Sequence, residues 1–109
     1  MDKPTTIEQL LQQMPTAFLP DKAKGIRAVI QLNLTGEGGG SWFVSVADGK
    51  CEVSPGVAPT PSATITAAAA DYLAVGRGEL NPMSAFMSGK IKATGNMGLL
   101  MNFSNWFAT

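Results

Sequence analysis

The sequence contains no histidine in 109 residues. That removes Ser-His-Asp and Cys-His catalysis, and with them the commonest metal ligand. Cys51 is the one cysteine, so no intrachain disulfide and no multi-cysteine zinc site can form. A lone thiol is compatible with a reducing compartment. Charge is scarce as well: charged residues make up 15%, and eight basic residues cancel eight acidic ones. Without a basic excess to neutralise phosphates, nucleic acid is not an expected partner. No apolar run reaches the 18 residues of a membrane span. The start, Met1-Asp2-Lys3-Pro4-Thr5-Thr6, lacks the basic-then-apolar pattern of a secretory signal. The last three residues, Phe107-Ala108-Thr109, are not a peroxisomal address. The expected location is therefore the cytoplasm.

What is present suits one domain spanning residues 1–109, with a radius of gyration of about 13 Å. Apolar residues make up 45%, enough for a core and one internal pocket. Thr5 and Glu8 have capping-box spacing, and Ile7, Leu10, Leu11 and Met14 follow at helical spacing. Pro15 should end or kink that helix. Phe18 and Leu19 read as an anchor, and residues 20–25 as a surface turn. Ala28, Ile30, Leu32 and Leu34 alternate with Arg27, Gln31 and Asn33, and Trp42, Val44 and Val46 with Ser41, Phe43, Ser45 and Ala47. These are two strands joined by the glycine-rich loop 36–40. Asp48-Gly49 signals a hairpin into a third strand through Cys51 and Val53. A proline-rich turn, residues 55–61, precedes a fourth strand, residues 63–67. Helix signals follow over 67–76, and Asn81-Pro82 opens a short helix carrying Met83, Phe86 and Met87. Residues 90–94 alternate again as a fifth strand, and Asn96 caps a last helix running to Phe107. Strands one to four read as a meander, which makes the sheet largely antiparallel. The expected fold is α+β: five strands covered on one face by four or five helices.

The candidate motifs for chemistry are weak. No Gly-Lys-Ser/Thr follows the glycines at 36–40, so they form a hairpin loop and not a phosphate cradle. Cys51 has no histidine to activate it and reads as a half-buried strand residue. Asp48 and Glu52 flank a turn and read as solvated. Lys90 and Lys92 read as edge protection.

The last helix is unusual. Met97, Leu99, Leu100, Met101, Phe103, Trp106 and Phe107 cover an arc of roughly 220°, twice what a surface helix needs. Gly98, Asn102 and Asn105 are its polar face. An apolar ligand, a partner chain or a membrane surface would each use that surplus, and helix one would also cover it. Ser104 sits inside the apolar arc. It either orients an amphiphile or bonds back to the Leu100 carbonyl.

Taken in order, several segments resemble the sterol carrier protein type-2 family. They are Gly78-Glu79-Leu80-Asn81-Pro82, Ser84-Ala85-Phe86, Ser88-Gly89-Lys90-Ile91-Lys92 and Thr94-Gly95-Asn96-Met97-Gly98, with Gly38-Gly39-Gly40-Ser41-Trp42 and Asp48-Gly49-Lys50-Cys51 upstream. The resemblance covers most of the chain and is weakest over the first 25 residues. It implies a hydrophobic tunnel enclosed by the sheet and helices. It also implies a non-enzymatic carrier of fatty acids, fatty acyl-CoA, phospholipids or sterol-like lipids, with no cofactor and transient contact with a membrane surface. The family often carries glutamine where this chain has Met83 and Ser104, which implies a greasier tunnel here. The missing peroxisomal tail points to a free-standing bacterial protein. The expected lining is Leu32, Trp42, Val44, Ile65, Tyr72, Met83, Phe86, Met87, Leu100, Phe103, Ser104 and Phe107. The competing reading is an interaction domain that docks a partner or dimerises through its apolar last helix. Catalysis from Asp48, Glu52, Asp71 or Tyr72 is the third, with nothing in the sequence to orient those groups.

Overall fold

The computed structural model describes residues 5–107, with Met101 and Ser104 described by backbone only. Four α-helices and five strands follow in the order α1 (Ile7–Ala17), β1 (Ala28–Thr35), β2 (Gly40–Ala47), β3 (Lys50–Pro55), β4 (Ala63–Ala68), α2 (Ala69–Gly76), α3 (Pro82–Met87), β5 (Ile91–Gly95) and α4 (Met97–Phe103). Short 3-10 turns occupy Pro20–Ala23 and Ser104–Trp106. The radius of gyration is 12.6 Å.

The strands form one sheet in the order β3-β2-β1-β4-β5. Asp48 and Gly49 both adopt positive φ, 53° and 74°, and pair Ala47 with Lys50 across the tight β2–β3 turn. The meander ends there. β4 pairs parallel with β1, Leu32 facing Ile65, so the sheet is mixed and not a run of antiparallel neighbours. The cause is the connection after Pro55, which crosses the sheet instead of turning back. Gln31, buried on β1, pins it there. Its amide donates to Trp42 O (3.0 Å) and Gly56 O (3.2 Å) and accepts from the Ala58 N–H (2.8 Å). Ser62 then bonds to both the N–H and the carbonyl of Val29, which starts β4 beside β1. β5 completes the sheet antiparallel to β4.

Registers put Ile30, Leu32, Val44, Ile65 and Ala93 on one face, and Gln31, Thr64, Thr66 and Lys92 on the other. The first face forms one core with Ile7, Leu10, Leu11 and Met14 of α1, Tyr72 of α2 and Phe103 of α4. Leu32 and Val44 are fully buried, worth about 1.5–3 kcal/mol each.

Three local expectations shift. The cap of α1 is Thr6, whose hydroxyl accepts from the Gln9 N–H, while Gln9 bonds back to Thr5. The pattern read at Thr5 and Glu8 thus operates one residue later. Pro15 does not stop α1, because it sits in the last turn, where a single backbone bond is lost and the helix ends at Ala17 anyway. The last helix does not reach Phe107. It tightens at Ser104, and Phe107 is extended and bridges to Phe18.

Candidate functional site

Trp42, Leu32 and Ile65 stand side by side across β2, β1 and β4, with Val44 one rung away. These four expected lining residues do come together on the helix-facing side. Tyr72 of α2 and Phe103 of α4, both buried, belong to the same core. Phe103 meets Trp106 and Phe107 edge-on at 5.8 and 5.4 Å, and Phe107 meets Phe18 at 5.8 Å. The Leu19 N–H donates to Trp106 O at 2.6 Å, which ties this aromatic cluster to the segment after α1. Phe103, Trp106 and Phe107 of the apolar surplus are thus drawn inside the chain, while Met97 stays 39% exposed. Trp106 is only 2% exposed, so it is not a face held ready for a partner. Leu100 and Phe107 are half-buried at the edge of the core. The Ser104 side chain, proposed from sequence as the polar point of the lining, lies outside the described residues.

Met83, Phe86 and Met87 fall elsewhere. They are 51%, 40% and 79% exposed on α3, which buries only Ala85. α3 is held mainly by polar and backbone bonds. Asn81 Oδ1 accepts from the Met83 and Ser84 N–H groups, and the Lys90 N–H donates to Ala85 O.

An open cleft of about 500 Å³ lies between the segment after α1 and the last helix, lined by Lys22, Lys24, Ile26, Leu99, Asn102, Asn105 and Trp106. A smaller one, about 230 Å³, adjoins it through Lys24 and Ile26 and reaches Asp48 and Gly49. Neither is lined by any of the twelve residues expected from sequence. The larger cleft has an apolar floor, two cationic groups and two amides, and no acidic lining residue. Sequence reasoning missed it because Lys22 and Lys24 read as an ordinary turn. The spacing of Asn102 and Asn105 on the polar face of the last helix was the available signal.

Burial, with Glu52 next to it, pushes the Cys51 thiol up to about 11, so it stays protonated and unreactive at neutral pH. Burial likewise raises the Tyr72 phenol above its usual range, with Cys51 adding to the shift. Among the described residues no group of three or more His, Cys, Asp or Glu side chains is arranged to hold a metal. No described helix is long and apolar enough to cross a membrane.

A mixed five-stranded sheet with helices packed on one apolar face makes this an α+β domain. Residues 7–108 match the SCP-2 sterol transfer family, and the chain belongs to it. Sterol carrier protein 2 of Homo sapiens is 40% identical over 99 residues, covering 91% of this chain and 18% of that protein. This chain thus spans under a fifth of that relative. The solution structure of palmitated sterol carrier protein 2-like 2 from Aedes aegypti superposes with a TM-score of 0.76 at 26% identity, covering 93% of both chains. The inverting sec-alkylsulfatase of Pseudomonas sp. shares the fold over 95% of this chain and 16% of its own, with a TM-score of 0.83 at 14% identity.

Proposed function

We propose that the chain is a non-catalytic lipid carrier that takes a long acyl chain between its helical layer and its sheet. The observation that carries this reading is the continuous apolar face from Trp42 through Leu32 to Ile65, in one core with Tyr72 and Phe103 of the helical layer. Family membership supports it, as does the palmitated state of the Aedes aegypti relative. The ligand class is fatty acids and their amphiphilic derivatives, acyl-CoA and phospholipids among them. Sterol is the less favoured member, because Met83 and Ser104 stand where the family resemblance implies glutamines.

The acyl chain lies along a tunnel opened by parting the helical layer from the sheet. α3 is the element that yields, since it contributes least to the core. Lys22 and Lys24 receive the anionic end of the ligand in the cleft beside Leu99 and Trp106. A micromolar constant corresponds to about −8 kcal/mol. At ~25 cal/mol per Å² that is roughly 320 Å² of apolar burial before ordering costs, within the reach of a long acyl chain.

The test is native mass spectrometry of the freshly purified protein. A monomer carrying an adduct of lipid mass, lost on delipidation and restored by palmitate, is the expected result. A stable lipid-free oligomer that does not take up palmitate is the result that favours the interaction-domain reading.

A further inference from the structure

Tyr72 is the only tyrosine in the chain, and α2 carries its ring into the same core as the apolar sheet face. It is 8% exposed. Buried phenols ordinarily find a hydrogen-bond partner, because a hydroxyl taken out of water without one costs free energy. No described residue bonds to this hydroxyl. Gln31, buried on the other sheet face, shows the contrast: its amide makes four hydrogen bonds. The Tyr72 oxygen is not walled in. Among the described residues no fully enclosed side-chain oxygen lacks a partner, so this one keeps some open surface. Phenylalanine would fill the same space without the cost.

We infer that the Tyr72 hydroxyl recognises ligand, hydrogen-bonding an uncharged oxygen (hydroxyl, ester or keto) in the buried part of the bound lipid. This rests on the lipid-carrier reading and adds the selectivity of its pocket. Leu32, Val44 and Ile65 share the core with Tyr72, so an atom that reaches the phenol arrives on a molecule lying against that apolar face. The oxygen it meets is uncharged for two reasons. Lys22 and Lys24 belong to a cleft that Tyr72 does not line, so a carboxylate beside the phenol would be buried away from those cations. Burial, with Cys51 adding to it, keeps the phenol protonated, so it can donate to such an oxygen as well as accept. Hydroxylated or ester-bearing chains are therefore preferred over plain ones.

The test compares stearate with hydroxystearates bearing the hydroxyl near the carboxylate, at mid-chain and at the far end, on the parent and on Tyr72→Phe. In the parent at least one hydroxystearate should bind about fivefold tighter than stearate, the worth of one neutral hydrogen bond. Tyr72→Phe should erase that preference, bind stearate as the parent does and melt at the same temperature or higher. A single tyrosine also gives a readout that needs no variant. The Cζ resonance of ring-labelled tyrosine should shift further with the preferred hydroxystearate than with stearate. Equal affinity ratios in parent and variant across the series, or equal shifts with both ligands, overturn the proposal. A variant that melts below the parent overturns it too, because the hydroxyl would then have a partner within the protein. Stearate bound without any dependence on Tyr72 removes the selectivity and leaves the carrier. No saturable binding of any of these acids removes the carrier and the proposal with it.

Discussion

Gln31 is a buried polar side chain in a strand that otherwise reads as core, and it fastens the chain crossing to β4. Gln31→Leu removes the acceptor from the buried Ala58 N–H and releases the crossing. Denaturant unfolding should show a loss of about 2 kcal/mol, the cost of an unsatisfied buried donor plus its lost bonds. A variant as stable as the parent would mean that the crossing is held by something else. Cys51 gives a second prediction at this scale. Its folded-state thiol holds a proton up to about pH 11, whereas an ordinary thiol releases it near 9.0. The unfolded chain therefore loses that proton first, and stability present below pH 9 is lost as pH rises toward 11. The Tyr72 phenol acts with the same sign. Iodoacetamide should label the folded protein slowly at pH 8 and faster only toward pH 11, while the unfolded protein labels at once. Rapid labelling of the folded protein at pH 8 would show an activated thiol instead.

The elements were mostly legible in the sequence, since α1, β1, β2, β3 and β4 announce themselves by apolar period and by Asp48-Gly49. Legibility failed where an element's surroundings decide its shape. The surplus apolar arc of the last helix looked like a waiting surface. Its C-terminal turn in fact tightens so that Trp106 enters the core and Phe107 reaches Phe18, 89 positions earlier in the chain. No local pattern encodes that meeting. The end of β5 shows the same dependence. A Cβ on Gly95, whose φ is +97°, would stand 2.7 Å from Ala63 Cα and from Ser62 O. Gly95→Ala should cost roughly 2 kcal/mol or more in unfolding experiments. Gly25→Ala, also at positive φ but in open space, should cost only the dihedral strain of about 1 kcal/mol. Equal costs would remove the close approach as the reason for glycine at 95. If α3 is the element that yields to ligand, its amides should exchange fastest among the helices and gain protection with palmitate bound. Exchange unchanged by palmitate would place the entry elsewhere.

At the scale of the whole molecule, the sheet order was the hidden quantity. Hairpin signals describe neighbours in sequence, and the proline-rich segment after β3 carries no mark of the strand it will reach. Its length and its two prolines, Pro59 and Pro61, fit a crossing better than a tight turn, and Gln31 is the partner that makes the crossing stable. The apolar face behind Leu32, Trp42, Val44 and Ile65 was readable from alternation alone. The cleft at Lys22 and Lys24 was not, because two distant segments build it. The central claim is that this face, with that cleft, takes up a lipid. The most direct measurement is a calorimetric titration of delipidated protein with palmitate, repeated on Lys22→Ser/Lys24→Ser. The account predicts one saturable site of micromolar or tighter affinity in the parent, weakened about tenfold in the variant as two charge-assisted contacts are lost. No saturable binding by the parent up to a hundredfold excess of palmitate would contradict it.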